Sequence, residues 1–122
     1  MSSNSQVQTV ATVALPAPFG RKPHHVSASP DGRFVYVAEL GSNVVDIIDT
    51  ATDQLSGRFS AGWPGSKTVM AAPGPRGDVL YAVTRGATSP STTLVALDAG
   101  TGSWLWHSSI EGDPSGFVID ND

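Results

Sequence analysis

The stretch Ser29-Pro30-Asp31-Gly32, followed by Phe34-Val35-Tyr36-Val37, is the first of two similar copies of a turn and a strand. The second copy is Pro73-Gly74-Pro75-Arg76-Gly77 followed by Val79-Leu80-Tyr81-Ala82-Val83, with Tyr36 and Tyr81 lying 45 residues apart. In both copies, turn-forming residues precede a run of β-branched and aromatic residues, which is typical of a turn that leads into a strand. The chain therefore contains an internal repeat of β structure.

A second match gives the size of the repeat. Val45-Asp46-Ile47-Ile48-Asp49 corresponds to Leu94-Val95-Ala96-Leu97-Asp98 at an offset of 49 residues, and the extra residues fall in a loop rich in Ser, Thr and Pro. A period near 45 residues with four strands per unit is the blade period of β-propellers. The predicted strands are His24–Ser29, Arg33–Leu40, Asn43–Asp49 and Gln54–Ala61, then Ser66–Ala72, Asp78–Arg85, Thr92–Asp98 and Ser103–Glu111.

The sequence thus predicts an all-β fold: a partial β-propeller of about two four-stranded antiparallel blades plus flanking single strands. One partial propeller covers residues 1–122, with blades at 24–62 and 66–112. Residues 6–15 are predicted as the outer strand of a preceding blade, and residues 114–121 as the first strand of the next. Propellers usually contain 4–8 blades, so two cannot close a ring. Either the chain is a fragment of a longer propeller, or several copies assemble.

Several residues are best explained by the turns between these strands. Ser29-Pro30-Asp31-Gly32 suits a type I turn. Asp49 and Asp98 occupy the same place in successive repeats, where a carboxylate can accept hydrogen bonds from the N–H groups of the turn that follows. Glycine supplies the positive φ that tight hairpins require. We therefore expect structural turn roles for Pro30, Asp31, Gly32, Asp49, Asp98 and Gly102.

Composition excludes several classes of partner. Seven basic residues face eleven acidic ones, for a net charge of −4, and the basic residues are scattered. Nucleic acid binding needs a concentrated basic face, so we expect none. The absence of cysteine excludes disulfides and thiolate metal sites.

The distribution of apolar residues predicts no signal peptide, no transmembrane segment and no membrane partner. The compartment is undetermined, with the cytoplasm as the default.

Residues 27–52 resemble the YVTN-type β-propeller repeat, on the segments Ser27–Ala38 and Gly41–Thr52. That family is named for a Tyr-Val-Thr-Asn strand. This chain has Tyr-Val-Ala-Glu at 36–39 and Tyr-Ala-Val-Thr at 81–84. In addition, the pattern Ala96-x-Asp98-x-x-Thr101-Gly102-x-x-x-Trp106 resembles the tryptophan-docking repeat of quinoprotein-type propellers. The resemblance implies a seven-bladed, lactonase-like or quinoprotein-like relative, often exported. It also implies blade-packing roles for Tyr36, Tyr81 and Trp106.

No set of residues predicts catalysis, a bound metal or a cofactor. His24 and His25 are candidate ligand-binding residues, because the resemblance places them on an inner strand near the central channel. The segment Gly62–Thr68 differs from a phosphate-binding loop, since Ser66 stands where the glycine before the lysine is required. Trp104 and Trp106 are expected on one face of a strand, where they could stack a flat ligand or pack between blades.

Two classes of function remain open from the sequence. The first is a β-propeller repeat module that serves as a scaffold or binding surface and is not an enzyme. Its partners would be other blades, in the same longer chain or in other copies, together with a protein or small-molecule ligand. The alternative is a fragment of a propeller enzyme, either a lactonase-like hydrolase or a quinone-dependent dehydrogenase.

Overall fold

The chain folds into two antiparallel β-sheets in a computed structural model that describes residues 20–86 and 92–110. Each sheet has four strands, in the order β1-β2-β3-β4 and β5-β6-β7-β8, and each sheet is one predicted blade. Neither described range contains a helix long and apolar enough to cross a membrane. The strands are β1 Gly20–Ala28, β2 Phe34–Gly41, β3 Val44–Asp49, β4 Gln54–Ser60, β5 Lys67–Pro73, β6 Val79–Arg85, β7 Thr92–Asp98 and β8 Trp104–Ile110.

The prediction of an all-β chain with two four-stranded blades is confirmed. The two flanking strands, predicted at 6–15 and 114–121, lie outside the described residues. The repeated turn closes both blades in the same way. In the first blade, the Gly32 N–H donates to the carbonyl oxygen of Ser29 at 2.9 Å. In the second, the Gly77 N–H donates to that of Gly74 at 3.0 Å. Local turn chemistry therefore sets both inner hairpins.

A β-bulge interrupts the outer strand of each blade at equivalent positions. In β4 the extra residue is Ser56, and in β8 it is Leu105. As a result Trp104 pairs with Leu97, whereas Trp106 pairs with Ala96. Adjacent residues of β7 point to opposite faces, so the two tryptophans also lie on opposite faces. The expectation that they share one face is wrong, because the bulge shifts the alternation.

The hydrophobic core lies between the two blades. We call the face that carries Tyr36 in the first blade, and Tyr81 in the second, the forward face of each blade; the opposite face is the rear face. The forward face of the first blade packs against the rear face of the second. Core residues of the first blade are Tyr36, Ala38, Val45, Ile47 and Ala61; those of the second are Ala71, Leu80, Ala82, Val95 and Leu97.

Candidate functional site

The turn between β1 and β2 is organised by the carboxylate of Asp31. It accepts hydrogen bonds from the Ser29 hydroxyl at 2.7 Å and from the Arg33 N–H at 3.0 Å. Because both bonds favour the ionised form, with the Arg33 N–H contributing most, they hold the pKa of Asp31 below its usual value. Pro30 in the same turn lies against Gly77, where an added Cβ would stand 3.1 Å from Cδ of the proline ring. The equivalent turns of the two blades therefore touch.

Asp49 and Asp98 lie at equivalent turns at the ends of β3 and β7. The carboxylate of Asp49 accepts the Ala51 N–H at 2.8 Å and the Nε–H and Nη2–H groups of Arg33 at 3.0 Å each. The hydrogen bonds from Arg33 are the main reason why the pKa of Asp49 is lowered. Asp98 accepts two backbone N–H groups, those of residues 100 and 101, at 2.8 and 3.0 Å. Both carboxylates thus order the turn that follows them.

Gly102 lies close to the first blade on the side of the outer turns. Its φ is +80°, and its N–H donates to the Asp98 carbonyl oxygen at 2.7 Å. A Cβ at this position would lie 2.8 Å from Cγ of Phe59, a ring that belongs to β4 of the first blade. Glycine is therefore needed at this position for two reasons: the backbone is left-handed, and a side chain would collide with a ring of the neighbouring blade.

Hydrogen bonds join the two blades at several points along the interface, from the inner strands to the outer strands. The Ser27 hydroxyl donates to the carbonyl oxygen of Ala71 at 2.7 Å. The Thr68 N–H donates to that of Ser42 at 2.9 Å, in the turn between β2 and β3. At the outer edge, the indole N–H of Trp104 donates to the carbonyl oxygen of residue 60 at 2.8 Å. Because hydrogen bonds are directional, they help to fix the orientation of one blade on the other across an interface that is otherwise apolar.

The two candidate ligand-binding histidines differ in their surroundings. His25 is half-buried at the interface, and its Nδ1 lies 3.4 Å from the N–H of Ala71 in β5. His24 is exposed and sits at a register shift between β1 and β2. Within residues 20–86 and 92–110, no group of three or more His, Asp or Glu residues is placed to hold a metal ion. The structure therefore joins His25 to the inter-blade contact and leaves His24 apart from it.

The tyrosines of the repeat stand in different environments. Tyr36 is 2% exposed because the second blade covers it, and this burial raises the pKa of its hydroxyl. Tyr81 occupies the same place on the forward face of the second blade and is only half-buried. Its ring contacts Trp106, which is 47% exposed, at a centroid distance of 6.1 Å. The forward face of the second blade thus carries an aromatic pair that no described residue covers fully.

Three aromatic side chains cluster at the outer rim of the interface. Trp63, in the link between the blades, meets Trp104 edge to face at 5.1 Å and His107 at 5.2 Å. Such T-shaped pairs are favourable because a ring edge meets a negative ring face. Sequence reasoning assigned the packing role in β8 to Trp106. Between the two described blades, however, Trp104 is the tryptophan of β8 that packs against the core.

A buried ion pair on the rear face of the first blade was missed by sequence reasoning. Asp46 is fully buried, and the Arg58 guanidinium donates to both of its carboxylate oxygens at 2.6 and 3.2 Å. The two residues face each other directly across β3 and β4. The turn at 50–53 alone would place Gly57 opposite Asp46, and the β-bulge at Ser56 shifts the register by one residue, so that Arg58 stands there instead. Asp46, Asp49 and Asp98 therefore each have a separate structural partner.

Comparison with known proteins supports the fold and leaves the family open. No family model and no curated protein matches the sequence. Among solved structures, the crystal structure of RRP9 WD40 repeats is similar, with a TM-score of 0.63 and 11% sequence identity. The match covers 80% of this chain and 28% of that one. At this identity the likeness shows the fold alone: the chain forms two blades of a β-propeller-like structure.

Proposed function

We propose that this chain is a scaffold or binding module, two blades of a larger β-propeller, whose second blade takes a further blade on its forward face. The observation that carries the proposal is the contrast between Tyr36 and Tyr81. The same strand position is fully buried where a blade follows it, and half-buried where no described blade does. Repeat units of this kind gain stability mainly from their neighbours, so the aromatic pair Tyr81–Trp106 is a docking surface.

The occupant we propose is the rear face of another blade, supplied by a longer parent chain or by a second copy. The internal interface shows what fits such a face: Leu80, Leu97 and Trp104 of a rear face pack on a forward face. Full burial of one large apolar side chain contributes about 1.5–3 kcal/mol. Completing the burial of the aromatic pair therefore favours association over exposure to water.

The structural match and the sequence repeat together support a propeller of more than two blades. The match covers 28% of the RRP9 WD40 chain, which supports the proposal that this chain is one part of a larger propeller. A YVTN-type propeller is our proposal for the family, on the repeat at residues 27–52. Within it, Tyr81 and Trp106 are proposed as packing residues toward the next blade, and His24 and His25 as residues near the central channel.

Solution mass as a function of concentration tests the proposal, by size-exclusion chromatography with light scattering. We expect the chain to self-associate and Trp106→Glu to weaken that association at least tenfold. Leu105→Glu is the matched control, because Leu105 is the neighbouring residue of β8, is similarly exposed at 51% and pairs with no residue of β7. A chain that stays monomeric at every concentration would refute a second copy as the occupant and leave only a blade of a longer parent chain. Equal effects of both substitutions would refute its location.

A further inference from the structure

A cleft opens on the forward face of the first blade, beside the outer turn of the second. Its volume is about 160 Å³. Apolar side chains from three strands form its floor, the main chain around the bulge of β4 forms one side, and the turn between β7 and β8 forms the other. The lining residues are Phe34, Ile47, Ser56, Gly57, Phe59, Ala99 and Gly100.

Gly57 is the residue that keeps this cleft open. It faces Ile47 across β3 and β4, in a row that continues to Tyr36 in β2. A Cβ built on Gly57 would meet nothing within 4 Å, and its φ is not positive. The glycine is therefore not required by the backbone or by a close neighbour. The missing side chain at Gly57 leaves the volume above this residue empty.

The second blade shows which group fits that position. The row equivalent to Tyr36, Ile47 and Gly57 is Tyr81, Ala96 and Trp106. The indole of Trp106 thus occupies the place that Gly57 leaves vacant, and it contacts the tyrosine of its own row. Within one chain, the same scaffold carries an aryl group in one blade and an aryl-sized space in the other.

The size and walls of the cleft suit one aromatic ring. A dry cavity of about 150 Å³ lined by apolar side chains is large enough to bind benzene. The rings of Phe34 and Phe59 offer the faces and edges on which an inserted ring packs. The guanidinium of Arg33 lies 5.2 Å from the centroid of the Phe34 ring.

The position of the cleft favours a peptide over a free small molecule. The strand β4 is the last of its sheet and pairs only with β3 among the described strands. Ser56 and Gly57 belong both to this outer strand and to the cleft. An extended segment that runs along an edge strand places every second side chain on one face of the sheet. A side chain opposite Gly57 would point into the cleft.

We infer that this cleft binds an aromatic side chain of an extended peptide segment from a partner protein, laid along the outer edge of β4. The inference deepens the proposed binding function and depends on the packing of the two described blades. It does not depend on ring completion, so the two proposals can fail separately. Ring completion is measured by mass, whereas cleft binding is measured by local changes at Gly57, Ala99 and Gly100.

The test uses the full chain and the peptide acetyl-Ser-Thr-Trp-Thr-Ser-amide, followed by amide chemical shifts in ¹⁵N NMR. We expect saturable shifts centred on Gly57, Ala99 and Gly100, and at least tenfold weaker binding when the peptide tryptophan is replaced by alanine. N-acetyltryptophanamide is the second probe and should bind several-fold more weakly than the peptide. Equal binding of both probes would overturn the peptide as the occupant.

Two substitutions at one position separate the cleft from the fold. Gly57→Trp should fill the cleft from within, as Trp106 does in the second blade, and lower the affinity for the peptide at least tenfold. Gly57→Ala adds a group that has room and should keep the affinity within about twofold. Retained dispersion of the amide spectrum shows that each variant is folded. Unchanged binding to folded Gly57→Trp, or shifts centred elsewhere, would overturn the inference.

Discussion

The substitution Gly102→Ala probes the contact between the blades directly. The new methyl group would stand 2.8 Å from Cγ of Phe59, across the interface, on a backbone with a φ of +80°. The left-handed backbone costs an alanine about 1–2 kcal/mol. Forcing a methyl group into a packed ring adds about 1–3 kcal/mol. The variant should therefore lose about 2–5 kcal/mol in the free energy of unfolding, measured by urea denaturation with tryptophan fluorescence.

The matched control for this variant is Gly32→Ala. Gly32 has a φ of +75°, but nothing lies within 4 Å of an added Cβ, so only the backbone cost of about 1–2 kcal/mol applies. The difference between the two variants isolates the packing against the neighbouring blade. Adding Phe59→Leu to Gly102→Ala should recover part of this difference. If both glycine variants lose the same free energy, the turn of the second blade does not pack on Phe59 in solution.

Three further predictions concern the ion pairs and the core. Arg58→Met should cost about 3–5 kcal/mol in unfolding free energy because it leaves buried Asp46 uncompensated; a loss below about 1 kcal/mol would argue against the pair. Tyr36→Ala should cost about 3–5 kcal/mol by the same denaturation assay, and a small loss would mean that the second blade does not cover it. Arg33→Met should raise the pKa of Asp49 toward its usual value in a carboxyl NMR titration. Because the pKa of Asp49 is lowered in the folded state, the ion pair stabilises the fold above the usual pKa, and this stability is lost as the pH falls through the lowered value. The variant should lack this part of the acid dependence of unfolding. An unchanged Asp49 titration would contradict the pair.

The features that the sequence predicted well are those controlled by nearby residues. Turn chemistry and strand alternation are local, so the eight described strands could be placed from runs such as Phe34–Val37 and their repeats. The carboxylates of Asp49 and Asp98 bond to N–H groups two or three residues ahead in the chain, which is also a local matter. A period of about 45 residues then indicated the type of fold.

The features that the sequence did not predict depend on register and on the second blade. The extra residue Leu105 in β8 places Trp104 and Trp106 on opposite faces of the sheet. No local sequence pattern predicts such a bulge. The pairing of Asp46 with Arg58 follows only once the strands are aligned. In the sequence, Gly102 is an ordinary turn glycine. The second reason why glycine is needed there is the nearby ring of Phe59, which becomes a neighbour only when the blades pack.

The packing of the two blades, forward face to rear face, can be tested by a single measurement. In a nuclear Overhauser spectrum of the full chain, the ring protons of Phe59 should show cross-peaks to the α-protons of Gly102, and the δ-protons of Pro30 to the α-protons of Gly77. These pairs belong to different blades and meet only in the packed arrangement. Cross-peaks for both pairs are the predicted result. Strand pairing within each blade without either cross-peak would contradict the packing, and with it the docking surface and the cleft.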